Sequence, residues 1–153
     1  MKKVLIALDY GISAKKIAKK GYELAQSMNA KVTLLHVVAE ESYYDAIDSA
    51  SFMGFYGADF FSIENNDNLI SSSLNFLENI KNHLDDPSIE TIAEKGDFPT
   101  VILETAEDKK FSLVVLGSHS KNWFEKAVMG SVTESVLSKT KIPMYIIPIR
   151  DDK

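Results

Sequence analysis

The chain has 153 residues and no cysteine, and its 22 acidic against 17 basic side chains give a net charge of −5. That length suits one domain over 1–153 with a sizeable core, while the acidic, evenly mixed charge argues against binding nucleic acid by phosphate neutralisation. Without thiols there are no disulfides, thiolate zinc sites or cysteine nucleophiles.

The chain opens on Val4-Leu5-Ile6-Ala7-Leu8, a continuous apolar run of the kind found in strands buried on both faces. It is too short for a signal peptide and stops at Asp9, and nothing later approaches a membrane-spanning length, so a cytoplasmic protein is expected. Ser13 is placed to cap a helix whose apolar positions fall at Ile17, Ala18, Gly21, Leu24, Ala25 and Met28. Lys15, Lys16, Lys19 and Lys20 form its solvated face. After a turn at Asn29-Ala30, the run from Val32 to Val38 predicts a second buried strand, with His36 inside it as a hydrogen-bonded structural histidine rather than a base.

Residues 39–67 carry Tyr43, Tyr44, Phe52, Phe55, Tyr56, Phe60 and Phe61 with Gly54 and Gly57 among them. Two readings stand: aromatics that cover the sheet edge or a second copy, or a flap that touches a ligand. Leu69, Ile70, Leu74, Leu77, Ile80 and Leu84 then repeat at helical spacing up to the Asp85-Asp86-Pro87 breaker, placing His83 at the end of a surface helix. Ile89, Thr91 and Ala93 alternate with Glu90 and Glu94, as a half-exposed edge strand does. Asp97 and Pro99 after Gly96 make a helix start for the stretch from Val101 to Glu107. Leu113 to Leu116 is a further buried strand, helix signals run from Ser131 to Lys141, and residues 144–149 close the chain as a last strand, with Pro148 outside regular pairing.

Five strands alternating with four helices predict an α/β fold, an open parallel sheet sandwiched by helices and Rossmann-like in plan. Ligands in such sheets sit beyond the carboxyl ends of the strands, where strand order reverses. The candidate site follows from that rule. Val114-Val115-Leu116-Gly117-Ser118-His119-Ser120 ends a strand at a glycine, and Gly130-Ser131-Val132-Thr133-Glu134 opens a helix at another. A glycine lets backbone approach a phosphate closely, and a helix start supplies free N–H groups and a favourable dipole. Asp9, at the first strand's tip, either accepts hydrogen bonds from a ligand or caps its own turn. Ser131 and Glu134 also spell a capping box, which would compete with an anion for the same N–H. His119, Lys121 and Lys126 lie in the intervening loop, with solvated roles as the default, and Trp123-Phe124 are expected to pack on the domain or a partner. The three histidines lack metal-ligand spacing, and neither an HExxH nor a GxSxG motif occurs.

The stretch from Val114 to His119, then Met129-Gly130-Ser131-Val132-Thr133-Glu134-Ser135-Val136 and Lys141-Ile142-Pro143-Met144, resembles the C-terminal signature of the universal stress proteins. Val4 to Asp9 and Leu34-Leu35-His36-Val37 look like that family's first two strands, and Gly96-Asp97-Phe98-Pro99 is similar to its turn before the third helix. The resemblance implies a sheet of order 3-2-1-4-5 and a homodimer built through the last strand, here Met144 to Ile149. The family's nucleotide-binding branch carries Gly-x-x-Gly, nine residues, then Gly-Ser or Gly-Thr. Gly117 and Gly130-Ser131 match at that spacing, and Ser120 replaces the middle glycine. Carried over, the resemblance implies ATP, accompanied by Mg2+. Asp9 and the Val37 backbone would meet the adenine-ribose end, Gly117 the ribose and phosphate, and Gly130, Ser131 and Val132 the phosphates. Ala7 and Leu116 complete the lining, and Ser120 holds the altered position. No catalytic base is identified, so hydrolysis would be slow and incidental. The alternative is a member without nucleotide, acting as a dimeric protein-interaction module; a nucleotide hydrolase or transferase on the same fold has least support.

Overall fold

The computed structural model describes residues 1–39, 66–118 and 131–149. Within them run β1 (Lys3–Leu8), α1 (Ala14–Ser27), β2 (Lys31–Val38), α2 (Asn66–Leu84), β3 (Glu90–Lys95), α3 (Phe98–Asp108), β4 (Leu113–Gly117), α4 (Ser131–Lys139) and β5 (Met144–Ile147). The strands form one sheet of order β3-β2-β1-β4-β5, every adjacent pair parallel. This is the α/β architecture and strand order expected above. The aromatic segment falls almost wholly outside the described residues.

β1 is central because its sequence lets it be apolar on both sides. Val4, Leu5 and Ile6 have no exposed surface. Val4, Ile6 and Leu8 pack on one face with Ala14, Ile17, Ala18 and Ala25 of α1 and Leu77 and Ile80 of α2. Leu5 and Ala7 pack on the other with Ile102 and Ala106 of α3 and Val136 of α4. Successive side chains of a strand point to opposite faces, so one strand feeds both cores. Gly21 lets α1 lie close: a Cβ there would stand 2.8 Å from Ile6 Cδ1 and 3.1 Å from Val115 Cγ1.

Local chemistry sets the joints. Asn29 takes a positive φ of 53° to leave α1, a conformation its short polar side chain tolerates. Gly96 (φ 151°) turns β3 into α3, where Asp97 caps the helix by accepting the Thr100 N–H and, at 2.6 Å, the Thr100 hydroxyl. Ser13 sits at the start of α1, yet its hydroxyl makes no capping bond. Its φ of −84° and ψ of −3° are helical, whereas a capping side chain reaches back from an extended residue. Helix α4 ends two residues earlier than the pattern predicts, at Lys139. The Thr140 hydroxyl donates to the Ile142 carbonyl at 2.8 Å and accepts the Ile142 N–H at 2.9 Å, closing a local turn instead. Pro148 lies beyond the end of β5, as expected of a residue without an N–H.

His36 is buried, and its Nδ1 is hydrogen-bonded at 2.8 Å to the Oγ of Ser73, a residue of α2 with no exposed surface. The Tyr10 hydroxyl lies 3.2 Å from that same Oγ. The Tyr10 ring packs 4.3 Å from the imidazole and 4.8 Å from Phe76. Three polar groups thus satisfy one another inside an aromatic cage, pinning the loop after β1 to β2 and α2. This is the structural histidine foreseen from the sequence. Ser73 is sealed from solvent, which rules it out as a nucleophile for an outside substrate.

Burial lowers the His36 pKa from 6.5 to about 4. Above pH 6.5 the imidazole is neutral in folded and unfolded chains alike and pH has no leverage through it. As pH falls from 6.5 towards 4 only the unfolded chain takes the proton, so stability is lost across that window and the loss levels off below it. The full difference is on the order of 3 kcal/mol. We therefore expect the urea midpoint of His36→Gln to fall less steeply than wild type between pH 6.5 and 4; parallel profiles would show that the imidazole is not the titrating group.

Candidate functional site

The strand tips converge where the topology says they should. Leu8 pairs with His36, which brings Asp9 level with Val37, and Ile6 pairs with Val115, which brings Gly117 level with Leu8. Sheet order reverses between β1 and β4: the chain leaves β1 for α1 on one face and enters α4 after β4 on the other. Asp9 and Gly117, with the first turn of α4 bonded to the latter, therefore stand at the carboxyl edge on either side of the switch point, the place where sheets of this kind bind ligands.

Asp9 takes up the turn-capping role. Its Oδ1 accepts the Gly11 N–H at 2.8 Å, forming the local turn. Its Oδ2 accepts no hydrogen bond from the described residues, and the residue is part-exposed. One oxygen fixes the carboxylate and the second is left over. Ala7, Val37 and Leu116 are buried in the α3/α4 core, and Val132 packs against the same cluster. The apolar members of the predicted site therefore lie on one face, the face from which α4 approaches.

Gly117 has an internal reason to be glycine. A Cβ at this position would stand within 2.4 Å of Ile149 Cδ1 and 2.6 Å of Ile17 Cδ1. The α1 side of the residue is thus filled by the protein's own core. The residue's carbonyl is held from the α4 side: Thr133 Oγ1 donates to it at 2.8 Å, and Thr133 is only 5% exposed. Ser118 completes the strand end by donating its N–H to the Ile147 carbonyl at 2.9 Å and accepting the Ile149 N–H on its hydroxyl at 2.9 Å.

Ser131 is the first residue of α4 and is exposed. The capping box suggested by Ser131 and Glu134 does not form: neither side chain bonds the backbone N–H of the other. The helix starts at Ser131, which makes it a helical residue instead of the preceding cap and shifts Glu134 one place too far along the turn. Ser131 is exposed and its hydroxyl makes no hydrogen bond among the described residues, and Glu134 is likewise exposed. Ser120 and Gly130, with His119, Lys121, Trp123, Phe124 and Lys126, lie outside the described residues.

Two features were not singled out from sequence. Thr133 carried a signal in its place two residues after the helix-opening Ser131, on the side turned to the strand tip. Ser73 carried one too, falling with Leu69, Leu77 and Ile80 on the buried stripe of its helix. A polar residue at a core position must bring a partner. Among the described residues no group of three or more acidic or histidine side chains is arranged to hold a metal ion, and no helix is long and apolar enough to cross a membrane.

Set beside known proteins, the chain matches the Universal stress protein family across residues 1–148. It is 29% identical to Universal stress protein MJ0577 of Methanocaldococcus jannaschii, covering 95% of this chain and 94% of that one. It is 24% identical to Universal stress protein A of Escherichia coli, covering 99% and 97%. The solved structure of MJ0577 superposes with a TM-score of 0.74 at 25% identity, covering 99% of this chain and 98% of that one. A universal stress protein solved in complex with cAMP shares the fold, with a TM-score of 0.62 at 18% identity and 96% coverage of each chain. The sequence match spans nearly the whole chain and the fold agrees with it: the protein belongs to the universal stress protein family.

Proposed function

We propose that this universal stress protein binds an adenine nucleotide, ATP in the first instance, in the crevice between β1 and β4, and that it acts as a dimer in stress response or regulation. The observation that carries the reading is the gathering of Asp9, Val37, Gly117 and the start of α4 at one switch point. The donor set suits such a ligand. The Asp9 oxygen left without a partner among the described residues can accept from ribose or base, the Val37 backbone lies level with it, and the N-terminus of α4 with its exposed Ser131 favours an anion. Cyclic AMP bound by a relative of the same fold supports an adenine ligand. When bound, a divalent ion such as Mg2+ would screen the phosphate charge, easing the approach of Glu134. The role we assign is binding, with hydrolysis at most incidental.

The packing of Gly117 favours a second reading. Because Ile17 and Ile149 account for that glycine without a ligand, a nucleotide-free interaction module is the alternative.

Edge chemistry supports the dimer. The outer strand β3 carries exposed Glu90, Glu94 and Lys95, which discourage pairing with another sheet. The opposite edge, β5, is Met-Tyr-Ile-Ile with no charge, Tyr145 is 41% exposed, and Leu137 of α4 is 43% exposed. An uncharged apolar edge of this kind is where a second copy would add.

Equilibrium dialysis with labelled ATP and Mg2+ tests the ligand. Wild-type protein should retain label at micromolar nucleotide. Gly130→Val should cut affinity at least about tenfold, or ~1.4 kcal/mol, and Ser120→Gly should tighten binding by restoring the motif's middle glycine. Saturating wild-type protein that keeps no label removes the nucleotide reading. For the assembly, sedimentation equilibrium should give twice the chain mass for wild type and a monomer for Tyr145→Glu; a monomeric wild type would end the dimer assignment.

A further inference from the structure

The Gly117 carbonyl occupies an awkward place. In β4 the N–H groups of Val114 and Ser118 both face β5, donating to Pro143 O at 3.0 Å and Ile147 O at 2.9 Å. Backbone groups alternate sides along a strand, so the Gly117 carbonyl is directed towards β1. The paired register of β1 with β4 ends at Ile6 and Val115. Among the described residues no ladder partner remains for this oxygen. It would be an unsatisfied acceptor at the mouth of the crevice, costly to leave unpaired and repulsive to any phosphate oxygen.

Thr133 answers both problems. Its hydroxyl donates to that carbonyl at 2.8 Å from the first turn of α4, and its burial leaves it no competing solvent partner. The same bond ties the β4 tip to the helix N-terminus, fixing the gap between them. The rest of the peptide is already immobile, with Ile17 and Ile149 against Gly117 and the Ser118 N–H committed to β5.

We propose that Thr133 is the positioning residue of the crevice, occupying the Gly117 carbonyl oxygen and holding it against α4 so that an anionic ligand meets N–H groups instead of a bare acceptor. The assignment rests on the nucleotide reading above and deepens it: a bare carbonyl repels the anionic phosphates and not the neutral nucleoside, so Thr133 acts on the preference for phosphate. A residue that merely stabilised the fold would affect both ends equally.

The test compares affinities for ATP with Mg2+ and for adenosine, which lacks phosphates, in wild type, Thr133→Val and Thr133→Ser. Valine keeps the side-chain shape without the donor; serine keeps the donor without the methyl. We expect wild type and T133S to prefer ATP by similar ratios. In T133V that preference should fall at least tenfold while adenosine affinity stays within twofold. A T133V protein whose ATP-to-adenosine ratio equals that of wild type overturns the clamp and leaves the nucleotide site standing. A T133S protein that loses the ratio overturns it as well. Wild type binding neither compound overturns the nucleotide reading and the positioning role with it. Should T133V not fold, T133A deletes the same hydroxyl with less crowding and the same ratio decides.

Discussion

The structure depends on a single strand being apolar on both faces. β1 supplies Val4, Leu5 and Ile6 with no exposed surface, and it is flanked by β2 on one side and β4 on the other. With right-handed crossovers, growth of the sheet outward from β1 to β2 and β3 puts α1 and α2 on one face. The return over the sheet to β4 and β5 puts α3 and α4 on the other. The chain therefore leaves the neighbouring tips of β1 and β4 for opposite faces of the sheet. The switch point is a product of topology, present before any residue is chosen to line it. What the sequence adds is the lining: a carboxylate at one lip, a glycine and a helix start at the other.

That lining shows how a glycine can be required twice over. Gly117 was read from sequence as a point of close approach for phosphate, and its neighbourhood contains a different demand. Ile17 from α1 and Ile149 from beyond β5 fill the volume a Cβ would take. Overpacking of this order costs about 1–3 kcal/mol in a close-packed core. The glycine is thus accounted for on its α1 side by packing alone. At this residue only the α4 side, where Thr133 restrains the carbonyl, is left for the proposed ligand.

Much of the fold was legible because its signals are local and mutually consistent. Continuous apolar runs such as Val4 to Leu8 mark strands buried on both faces, and the Asp97-Pro99 pair marks a helix start whatever surrounds it. The strand order came from family likeness, since parallel pairing leaves no trace in neighbouring residues. What escaped is what arises only when distant segments meet. The Tyr10, His36 and Ser73 cluster joins three elements, and nothing local to Tyr10 announces it. Ile149 sits against Gly117 across a separation that no periodicity records. Ser13 and the Ser131–Glu134 pair failed for the opposite reason. Their local chemistry was right, but the helices begin with those serines in helical geometry, and a shift of one residue decides whether a capping side chain can reach.

The same shift has a consequence for the site. A closed capping box would have consumed the donors at the start of α4 and parked the Glu134 carboxylate over them. With the box open, neither side chain is spent on the other, while Thr133, two residues on, is spent on Gly117. The division of labour follows from where each hydroxyl points. Ser131, exposed at the helix start, is available to something outside the protein; Thr133, buried, serves the protein itself. Ser118 adds a third hydroxyl, accepting the Ile149 N–H and so holding the chain beyond β5 against the β4 tip. Moving the β4 tip would break the Ser118 bonds to Ile147 and Ile149 and unseat Ile149 from Gly117. A tip restrained in this way cannot be reshaped cheaply by a ligand, and selectivity must be built in beforehand by the groups that restrain it.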